Sequence, residues 1–249
     1  MIDKEIKIII NDMLFHTRKM LKFACNSYAQ CRKIKYIYIA SEAQKRNEFM
    51  KEQWFSRQCS KIGIPVPRIM HTGKYCNIDF LIEEYIEGIP GNKYENKQFV
   101  FEKLGIYSRK IKEIPISGYG IEILDFNNNV FIDNLYNSSQ EQIFKNIEAL
   151  TITDKLIDLG IYDSKYITCI KNSFSHLISQ DLSCVLNHGD ISLSNTIITP
   201  KGTVYWIDFG SVNVNLLYSE FANLKIETKD DLVSFAKGFG IPVTKIEER

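Results

Sequence analysis

The sequence predicts an α+β protein in which strands and one main helix occupy the N-terminal third and helices dominate the remainder. Two strand-like runs, "LKFACNSYAQ" and "KYIYIAS", come before an amphipathic helix, and two more, within "IPVPRIMHTG" and "NIDFLIEEYIEG", come after it. Beyond residue 93 the apolar residues recur mainly at helical spacing, apart from one hairpin near residue 200. These observations predict a small sheet-containing part followed by a larger, mostly helical part.

The main helix of the small part is predicted over residues 42–63, "EAQKRNEFMKEQWFSRQCSKIG". Gly63 is expected to end it, because glycine readily adopts the positive φ of a helix C-terminus. Four large apolar side chains fall roughly on one face of this helix: Phe49, Trp54, Phe55 and Cys59.

The larger part is expected to begin with a helix over Phe99–Ile114. Residues 117–131 are expected to be rich in loops, with Asn127–Asn129 as a turn. Two further helices are expected near Glu141–Leu150 and Lys165–Leu177. The apolar positions of the first helix are near helical spacing and are interpreted as core: Phe99, Phe101, Leu104, Ile111 and Ile114.

The hairpin near residue 200 carries polar residues at its open end. Thr196–Thr199 and Thr203–Ile207 are β-branched or aromatic runs, and the residues between them, "PKG", form a turn sequence. With a two-residue turn, Asn195 lies directly opposite Asp208, with Cα atoms roughly 4.5–5.5 Å apart. A three-residue loop shifts the pairing by one residue and still leaves the two side chains as neighbours.

Asp190, five residues before Asn195, is expected to bring a third oxygen-bearing side chain to the same place. Hard divalent cations such as Mg²⁺ are held by one or two carboxylate or amide oxygens, with other positions left for water and substrate phosphates. Asn195 and Asp208 fit such ligands, and Asp190 fits a group that orients a hydroxyl nucleophile and accepts its proton. The alternative is an ordinary surface hairpin with solvated side chains. Two motifs, "HGDISLSN" before the hairpin and "IDFG" after it, occur in the right order, and this argues against the alternative.

The pattern "HGDISLSN" followed by "IDFG" resembles the catalytic segment of the aminoglycoside phosphotransferases and related small-molecule kinases, which share the protein-kinase-like fold. The stretches "GIPVPRI" and "LIEEYIEGIPG" extend the resemblance over most of the chain. It implies a bilobed fold, with an N-terminal antiparallel-sheet lobe and hinge at residues 1–88. A mostly helical catalytic and substrate-binding lobe would follow at residues 89–249.

The resemblance also implies roles for the motif residues. Asp190 would be the catalytic base, and Asn195 and Asp208 would be the ligands of Mg²⁺. His188 would be a structural residue that braces the loop.

For the nucleotide, the resemblance implies that the backbone of Glu83 and Tyr85 hydrogen-bonds the purine. Ser27, with Asn26 before it, resembles the Asn-Ser pair that some small-molecule kinases carry between their first strands. Glu52 falls where the family places the helix glutamate that pairs with a strand lysine. The alternative interpretation of Glu52 is a solvated helix charge.

The strand lysine that the family pattern contains is missing from this sequence. It is expected near Ile39 or Ala40, and neither residue is charged. Lys35, from the same strand, or Lys45, at the start of the helix, is the candidate to replace it.

Composition is that of a globular enzyme. Hydrophobic residues make up 45% of the 249 residues and charged residues 24%, which argues against extensive disorder. The net charge of +1 gives no support for binding to nucleic acid or a membrane. The six cysteines form no Cys-x-x-Cys pair, so a zinc site is not expected. The N-terminal "MIDKEIK" lacks the form of a signal peptide and no run reaches membrane-spanning length, so we expect a cytoplasmic protein with reduced thiols.

The expected function is transfer of the γ-phosphoryl group of ATP or GTP to a small-molecule hydroxyl, with an aminoglycoside-type antibiotic as the leading acceptor. The alternative enzyme is a metabolic kinase of a sugar, a choline-like amino alcohol or an amino acid. A nucleotide-binding pseudokinase with a regulatory role is the alternative from another class, because the strand lysine is missing. The sequence leaves the acceptor, the choice of ATP or GTP and the oligomeric state open.

Four acidic residues near the C-terminus lie where the family commonly places substrate-binding carboxylates. Such carboxylates would attract a polycationic sugar over roughly 8–10 Å at physiological salt. Solvated helix charges explain each of them equally well. They are Glu220, Glu227, Asp230 and Asp231.

Overall fold

The computed structural model of the chain describes residues 23–27, 34–41, 46–75, 78–151, 155–178 and 182–242. The described chain forms two compact units. Unit 1 comprises the described residues of Met1–Tyr107, Ser192–Gly210 and Lys225–Arg249, and unit 2 those of Ser108–Ile191 and Ser211–Leu224. This division does not follow the boundary between residues 88 and 89, because the polar hairpin groups with the N-terminal segment. The assignment of two lobes to residues 1–88 and 89–249 stays a prediction.

Strands and helices are numbered in chain order. The strands are β1 (Phe23–Ser27), β2 (Ile34–Ser41), β3 (Ile69–Tyr75), β4 (Ile78–Glu84), β5 (Ile89–Pro90), β6 (Ser117–Gly118), β7 (Glu122–Asp125), β8 (Val130–Ile132), β9 (Cys184–Asn187), β10 (Thr196–Ile198), β11 (Val204–Trp206) and β12 (Asn213–Leu216). The α-helices are α1 (Arg46–Lys61), α2 (Lys97–Ile111), α3 (Ser139–Ala149), α4 (Lys155–Asp158), α5 (Ile167–Ile178), α6 (Ser219–Asn223) and α7 (Lys229–Phe239). Short 3-10 turns lie at Gly91–Lys93, Ser164–Tyr166 and Leu193–Asn195.

The N-terminal part of unit 1 is a four-stranded antiparallel sheet in the order β1-β2-β4-β3, and α1 packs against β3 and β4. The predicted order of two strands, a helix and two strands is confirmed. All four apolar side chains that were expected on one face of α1 are buried, and Gly63 follows the helix with a φ of +71°. Residues 28–33 and 42–45, which include Lys45, lie outside the described residues.

A second sheet of unit 1 contains the polar hairpin, in the order β11-β10-β5. Thr196 pairs with Trp206 and Ile198 with Val204, so of the two turn lengths that the sequence left open the three-residue loop is the one present. The turn closes with Thr199 N donating to Thr203 O at 3.0 Å and Gly202 N donating to Thr199 O at 2.8 Å. Gly202 has a φ of +77°, which glycine adopts without steric cost and which lets the loop take a third residue.

The remaining helices of unit 1 complete its core. Phe101 and Leu104 of α2 are buried as predicted, whereas Phe99 is only half-buried. Gly105 of α2 approaches Phe235 O of α7 so closely that a β-carbon would overlap it. The helix α7 begins at a capping box in which the Thr228 side chain accepts from Asp231 N, while the Asp231 side chain accepts from Thr228 N.

Unit 2 combines small sheets with a helix pair. The strands β6, β8 and β7 form one sheet, β9 pairs antiparallel with β12, and α3 packs against α5. Residues 117–131 were expected to be rich in loops and instead carry β6, β7 and the start of β8. The turn predicted at Asn127–Asn129 is confirmed, with Asp125 Oδ1 accepting from Asn127 N at 2.8 Å. The two helices predicted in this part are present as α3 and α5.

Candidate active site

Asp208 lies two residues after the end of β11, between buried aromatic residues. Trp206 is fully buried, and Phe209 is 3% exposed with its ring centre 4.9 Å from that of Phe55 in α1. Asp208 itself is exposed and has a φ of +65°, a left-handed conformation that few residues other than glycine adopt. The aromatic core therefore holds an exposed carboxylate in a costly backbone conformation, a combination that clusters at functional sites.

Asn195 lies at the same end of the hairpin. Its side chain is buried, and its backbone oxygen accepts from Ile207 N at 3.0 Å, one residue before Asp208. The 3-10 turn Leu193–Asn195 leads into β10 and is closed by Asn195 N donating to Ser192 O at 3.1 Å. The backbones of Asn195 and Asp208 are adjacent as predicted, with Ile207 and not Asp208 standing opposite Asn195, and the meeting of their side chains at one point stays a prediction.

The chemistry of this pair fits Mg²⁺. An amide oxygen and a carboxylate are the hard ligands this ion prefers, and Mg²⁺ usually keeps several positions for water and phosphate. Within the described residues no group of three or more His, Cys, Asp or Glu side chains forms a metal site. Two protein ligands suit an ion whose remaining positions are filled by water and phosphate.

Glu52 of α1 lies in the same neighbourhood as Asp208. A β-carbon on Gly210 would lie 3.8 Å from Asp208 Oδ1, 3.8 Å from Glu52 Oε1 and 4.0 Å from Glu48 Oε2. Burial raises the pKa of Glu52 to about 8, with further increases from the carboxylates of Glu83, Asp208 and Glu48 and an opposing effect of Lys51. The solvated-charge interpretation of Glu52 is therefore wrong, because its carboxyl is mostly removed from water.

The other residues predicted to bind nucleotide lie along the four-stranded sheet. Glu83 belongs to β4, where it pairs with Ile37 of β2, and Tyr85 follows that strand; both are half-buried. Ser27 ends β1 opposite Ile34, and Lys35 pairs with Asn26 in the same ladder. These residues share one sheet, and their contacts with a nucleotide stay predictions.

Asp190 belongs to unit 2, on the loop after β9. Its backbone N donates to Nδ1 of His188 at 3.3 Å, and His188 is fully buried, so this histidine braces the loop. Gly189 between them has a φ of +81°, and a β-carbon there would overlap Ser211 O, so only glycine fits.

Glu220 holds the start of this loop. Its carboxylate accepts hydrogen bonds from the backbone N of both His188 and Gly189, and the residue is 2% exposed. Burial raises the pKa of Glu220 to about 7, and the two backbone donors oppose the shift. From the sequence, Glu220 was a candidate for substrate binding or for a solvated charge; its burial shows that the solvated-charge interpretation is wrong, and its hydrogen bond from His188 N gives it a structural role.

Two of the remaining acidic residues have structural partners. Asp231 is the buried member of the α7 capping box, and Glu227 pairs with Lys97 at 2.7 Å. Asp230 is exposed at the start of α7. Asp231 is therefore a helix cap, which the Thr-x-x-Asp spacing in the sequence was sufficient to indicate. No such local signal marked Glu220, since its partners lie 32 and 31 residues earlier in the chain.

Comparison with solved structures identifies the fold. An aminoglycoside 3′-phosphotransferase of type VIII is similar over 92% of this chain and 89% of its own, with a TM-score of 0.53 and 16% identity. A putative fructosamine-3-kinase from Haemophilus somnus 129PT is similar over 97% and 84%, with a TM-score of 0.53 and 16% identity. The chain has the fold of these small-molecule kinases.

A third structure with this fold is a spectinomycin phosphotransferase in complex with ADP and spectinomycin, similar over 91% of this chain and 75% of its own, with a TM-score of 0.53 and 15% identity. No protein-family model and no curated protein matches the sequence. None of the helices in the described ranges is long and apolar enough to cross a membrane. The small-molecule kinase fold and the α+β class predicted from the sequence are thus confirmed.

Proposed function

We propose that the protein is a small-molecule kinase that transfers the γ-phosphoryl group of ATP or GTP to a hydroxyl of its substrate. The observation that carries this proposal is the open end of the hairpin, where a buried Asn195 and an exposed Asp208 in a left-handed conformation present two hard oxygen ligands. Glu52 adds a second carboxyl close to Asp208, because an oxygen of each would lie 3.8 Å from a β-carbon on Gly210. The carboxyl of Glu52 is not a simple surface charge.

Roles for the chain's own residues follow from the chemistry of phosphoryl transfer. Asn195 and Asp208 would hold Mg²⁺, which neutralises charge on the donor phosphates when bound. Asp190 orients the acceptor hydroxyl and takes its proton as the new oxygen–phosphorus bond forms. The backbone of Glu83 and Tyr85 binds the purine, and Ser27 and Lys35 lie along the phosphates. The protein contributes mainly positioning, since the transition state is loose and its charge is dispersed.

The charge distribution favours a cationic acceptor. Unit 2, which contains Asp190, has 7 Lys and Arg residues against 12 Asp and Glu residues, a net charge of −5, while unit 1 has a net charge of +6. A surface with excess negative charge raises the local concentration of a polycation, and one with excess positive charge does the same for a nucleotide. An aminoglycoside-type antibiotic is therefore the leading acceptor, and the protein would act as a resistance phosphotransferase.

A second candidate is a metabolic kinase of a sugar, amino alcohol or amino acid. The likeness to the fructosamine-3-kinase, which extends over 97% of this chain, favours it. A neutral sugar differs from an aminoglycoside in charge, and it gains nothing from the acidic unit.

The experiment is a coupled assay of nucleoside diphosphate release by purified protein with ATP or GTP. The acceptor panel would contain aminoglycosides, choline, homoserine, fructosamines and simple sugars. We expect turnover with an aminoglycoside that declines as salt is raised, since screening weakens the attraction of unit 2 for a polycation. Turnover with a neutral sugar alone would identify the metabolic kinase. Tight nucleotide binding without transfer to any acceptor would identify the pseudokinase.

A further inference from the structure

A buried threonine hydroxyl lies directly beside Asn195, the residue that the proposed kinase would use as a metal ligand. Thr196 is fully buried and begins β10, where it pairs with Trp206 of β11. The next buried pair of the same ladder, Ile198 and Val204, is apolar. A buried hydroxyl costs free energy unless it forms a hydrogen bond. A threonine in this apolar layer therefore needs a bond that an aliphatic residue could not form.

That bond is made to Leu193 O, in the 3-10 turn Leu193–Asn195 that leads into β10. The Thr196 hydroxyl donates to this oxygen at 2.7 Å, and the backbone N of Thr196 donates to the same oxygen. The backbone bond alone would satisfy Leu193 O, because one partner is sufficient for a buried carbonyl. The hydroxyl thus has a different effect, since it fixes the side chain of Thr196, as well as its backbone, to one point of the turn.

Two backbone hydrogen bonds locate Asn195 within this turn. Its backbone N donates to Ser192 O at 3.1 Å, and its backbone O accepts from Ile207 N at 3.0 Å. The direction of the Asn195 side chain then depends on the backbone angles of the turn, because the allowed rotamers of a side chain depend on φ and ψ. The Thr196 hydroxyl bonds across Asn195 to Leu193, so it restricts those angles at the ligand residue itself.

Gly91 packs against the other side of the same hydroxyl. It follows β5, the strand that pairs with β10, and it is buried. A β-carbon on Gly91 would overlap Thr196 Oγ1 and would lie 2.7 Å from Leu193 O. Its φ is not in the left-handed region, so the close approach alone accounts for a glycine at this position. The Thr196 hydroxyl is therefore packed between Leu193 O and the backbone of Gly91.

We propose that Thr196 is a positioning residue that directs the side chain of Asn195, and that Gly91 keeps the Thr196 hydroxyl on Leu193 O. The purpose of this positioning, which is ligation of Mg²⁺ by Asn195, rests on the proposed kinase function, whereas the hydrogen-bonded turn does not. Groups that orient a metal ligand without touching the ion typically change metal affinity by about 10- to 100-fold when they are removed. An effect of that size is expected from loss of the Thr196 hydroxyl.

The first test compares Thr196→Ala with Thr196→Ser, because both variants lose the γ-methyl group and only the alanine variant loses the hydroxyl. Calorimetry measures the affinity for a non-hydrolysable ATP or GTP analogue in EDTA and at increasing concentrations of free Mg²⁺. The Mg²⁺ concentration that gives half of the increase in affinity should rise about 10- to 100-fold in Thr196→Ala and stay near the parent value in Thr196→Ser. Affinity in EDTA should be the same in all three proteins, whereas a general structural defect would lower it.

The second test uses metal-free protein without nucleotide, so it does not depend on kinase function. Amide hydrogen exchange resolved by NMR reports on the backbone N–H of Asn195, which donates to Ser192 O. Exchange of this amide should be about 3- to 10-fold faster in Thr196→Ala than in Thr196→Ser, since one buried hydrogen bond is lost. The amide of Gly202, which donates to Thr199 O at the other end of the hairpin, should exchange equally in both and is the internal control.

Equal exchange of the Asn195 amide in the two variants would overturn the role of Thr196, and so would an equal Mg²⁺ dependence of nucleotide affinity. Thr196→Val, which keeps the volume of the side chain, replaces Thr196→Ala if that variant does not fold. Gly91→Ala would displace the Thr196 hydroxyl and should match Thr196→Ala in both tests, and behaviour like the parent would remove Gly91 from the proposal. A parent protein that binds no nucleotide would contradict the kinase function, and the exchange of the Asn195 amide would still decide the role of Thr196, so the two proposals fail separately.

Discussion

The backbone N of His188 donates a hydrogen bond to the carboxylate of Glu220, 32 residues further along the chain. Both residues are almost fully removed from solvent, and the same carboxylate also accepts from Gly189 N. The loop that carries Asp190 is therefore held at its first two residues by one side chain of α6.

Glu220→Ala should lower the free energy of unfolding by about 2–4 kcal/mol, because it leaves two amides, at least one of them buried, without acceptors. Glu220→Gln keeps an acceptor oxygen and should cost less. Chemical denaturation followed by circular dichroism measures both changes, with Glu113→Ala as the control. An Ala variant as stable as the parent would show that water replaces the carboxylate.

Asp190→Asn should reduce turnover by about 10²–10⁴-fold, since it preserves size but removes the proton acceptor and its charge. Affinity for the Mg-nucleotide should change only a few-fold. Steady-state phosphoryl transfer to the best acceptor is the measurement, alongside calorimetric nucleotide binding to the same variant. Turnover comparable with that of the parent would remove Asp190 from the catalytic role.

Asp208→Ala should abolish turnover and weaken Mg²⁺-dependent nucleotide binding, because a carboxylate ligand is lost. Calorimetric titration of nucleotide with Mg²⁺ and with EDTA isolates the metal-dependent part of the affinity. Asp230→Ala, a matched change at an exposed residue of the same unit, should leave it unchanged. If the metal-dependent affinity of Asp208→Ala equals that of the parent, Asp208 is not a ligand.

Lys35→Ala should lower turnover strongly in a folded protein if Lys35 replaces the missing strand lysine, and Lys45→Ala should have little effect. Turnover and circular dichroism of both variants are the measurements. The reverse pattern would assign the role to Lys45. Two mild effects would show that the metal and the backbone position the phosphates.

The raised pKa of Glu52 should make the free energy of unfolding depend on pH. Its pKa is raised to about 8 in the folded protein from an ordinary value of 4.5, so the folded state holds a proton that the unfolded state releases. The parent should therefore lose stability relative to Glu52→Gln as pH rises from about 4.5 to about 8, by about 2–4 kcal/mol. Denaturation in EDTA at several pH values measures this difference. A difference that does not change with pH would mean that Glu52 is ionised throughout the range.

Local sequence patterns were sufficient to predict the main helices and strands and most of the hairpin site. The buried face of α1, its end at Gly63, and the neighbouring positions of Asn195 and Asp208 all follow from side-chain periodicity and turn chemistry. The register of the hairpin does not, because two- and three-residue turns both accommodate "PKG", and only the ladder distinguishes them.

Tertiary structure decided what the polar residues do. Glu220 and Asp231 belong to the same set of acidic residues in the sequence, yet one holds the loop before Asp190 and the other caps α7. Glu52 has the sequence environment of a surface charge and is largely buried beside other carboxylates. The physical reason is that a pKa and a hydrogen-bond partner depend on burial and on residues distant in sequence, whereas helices, strands and turns depend on neighbours along the chain.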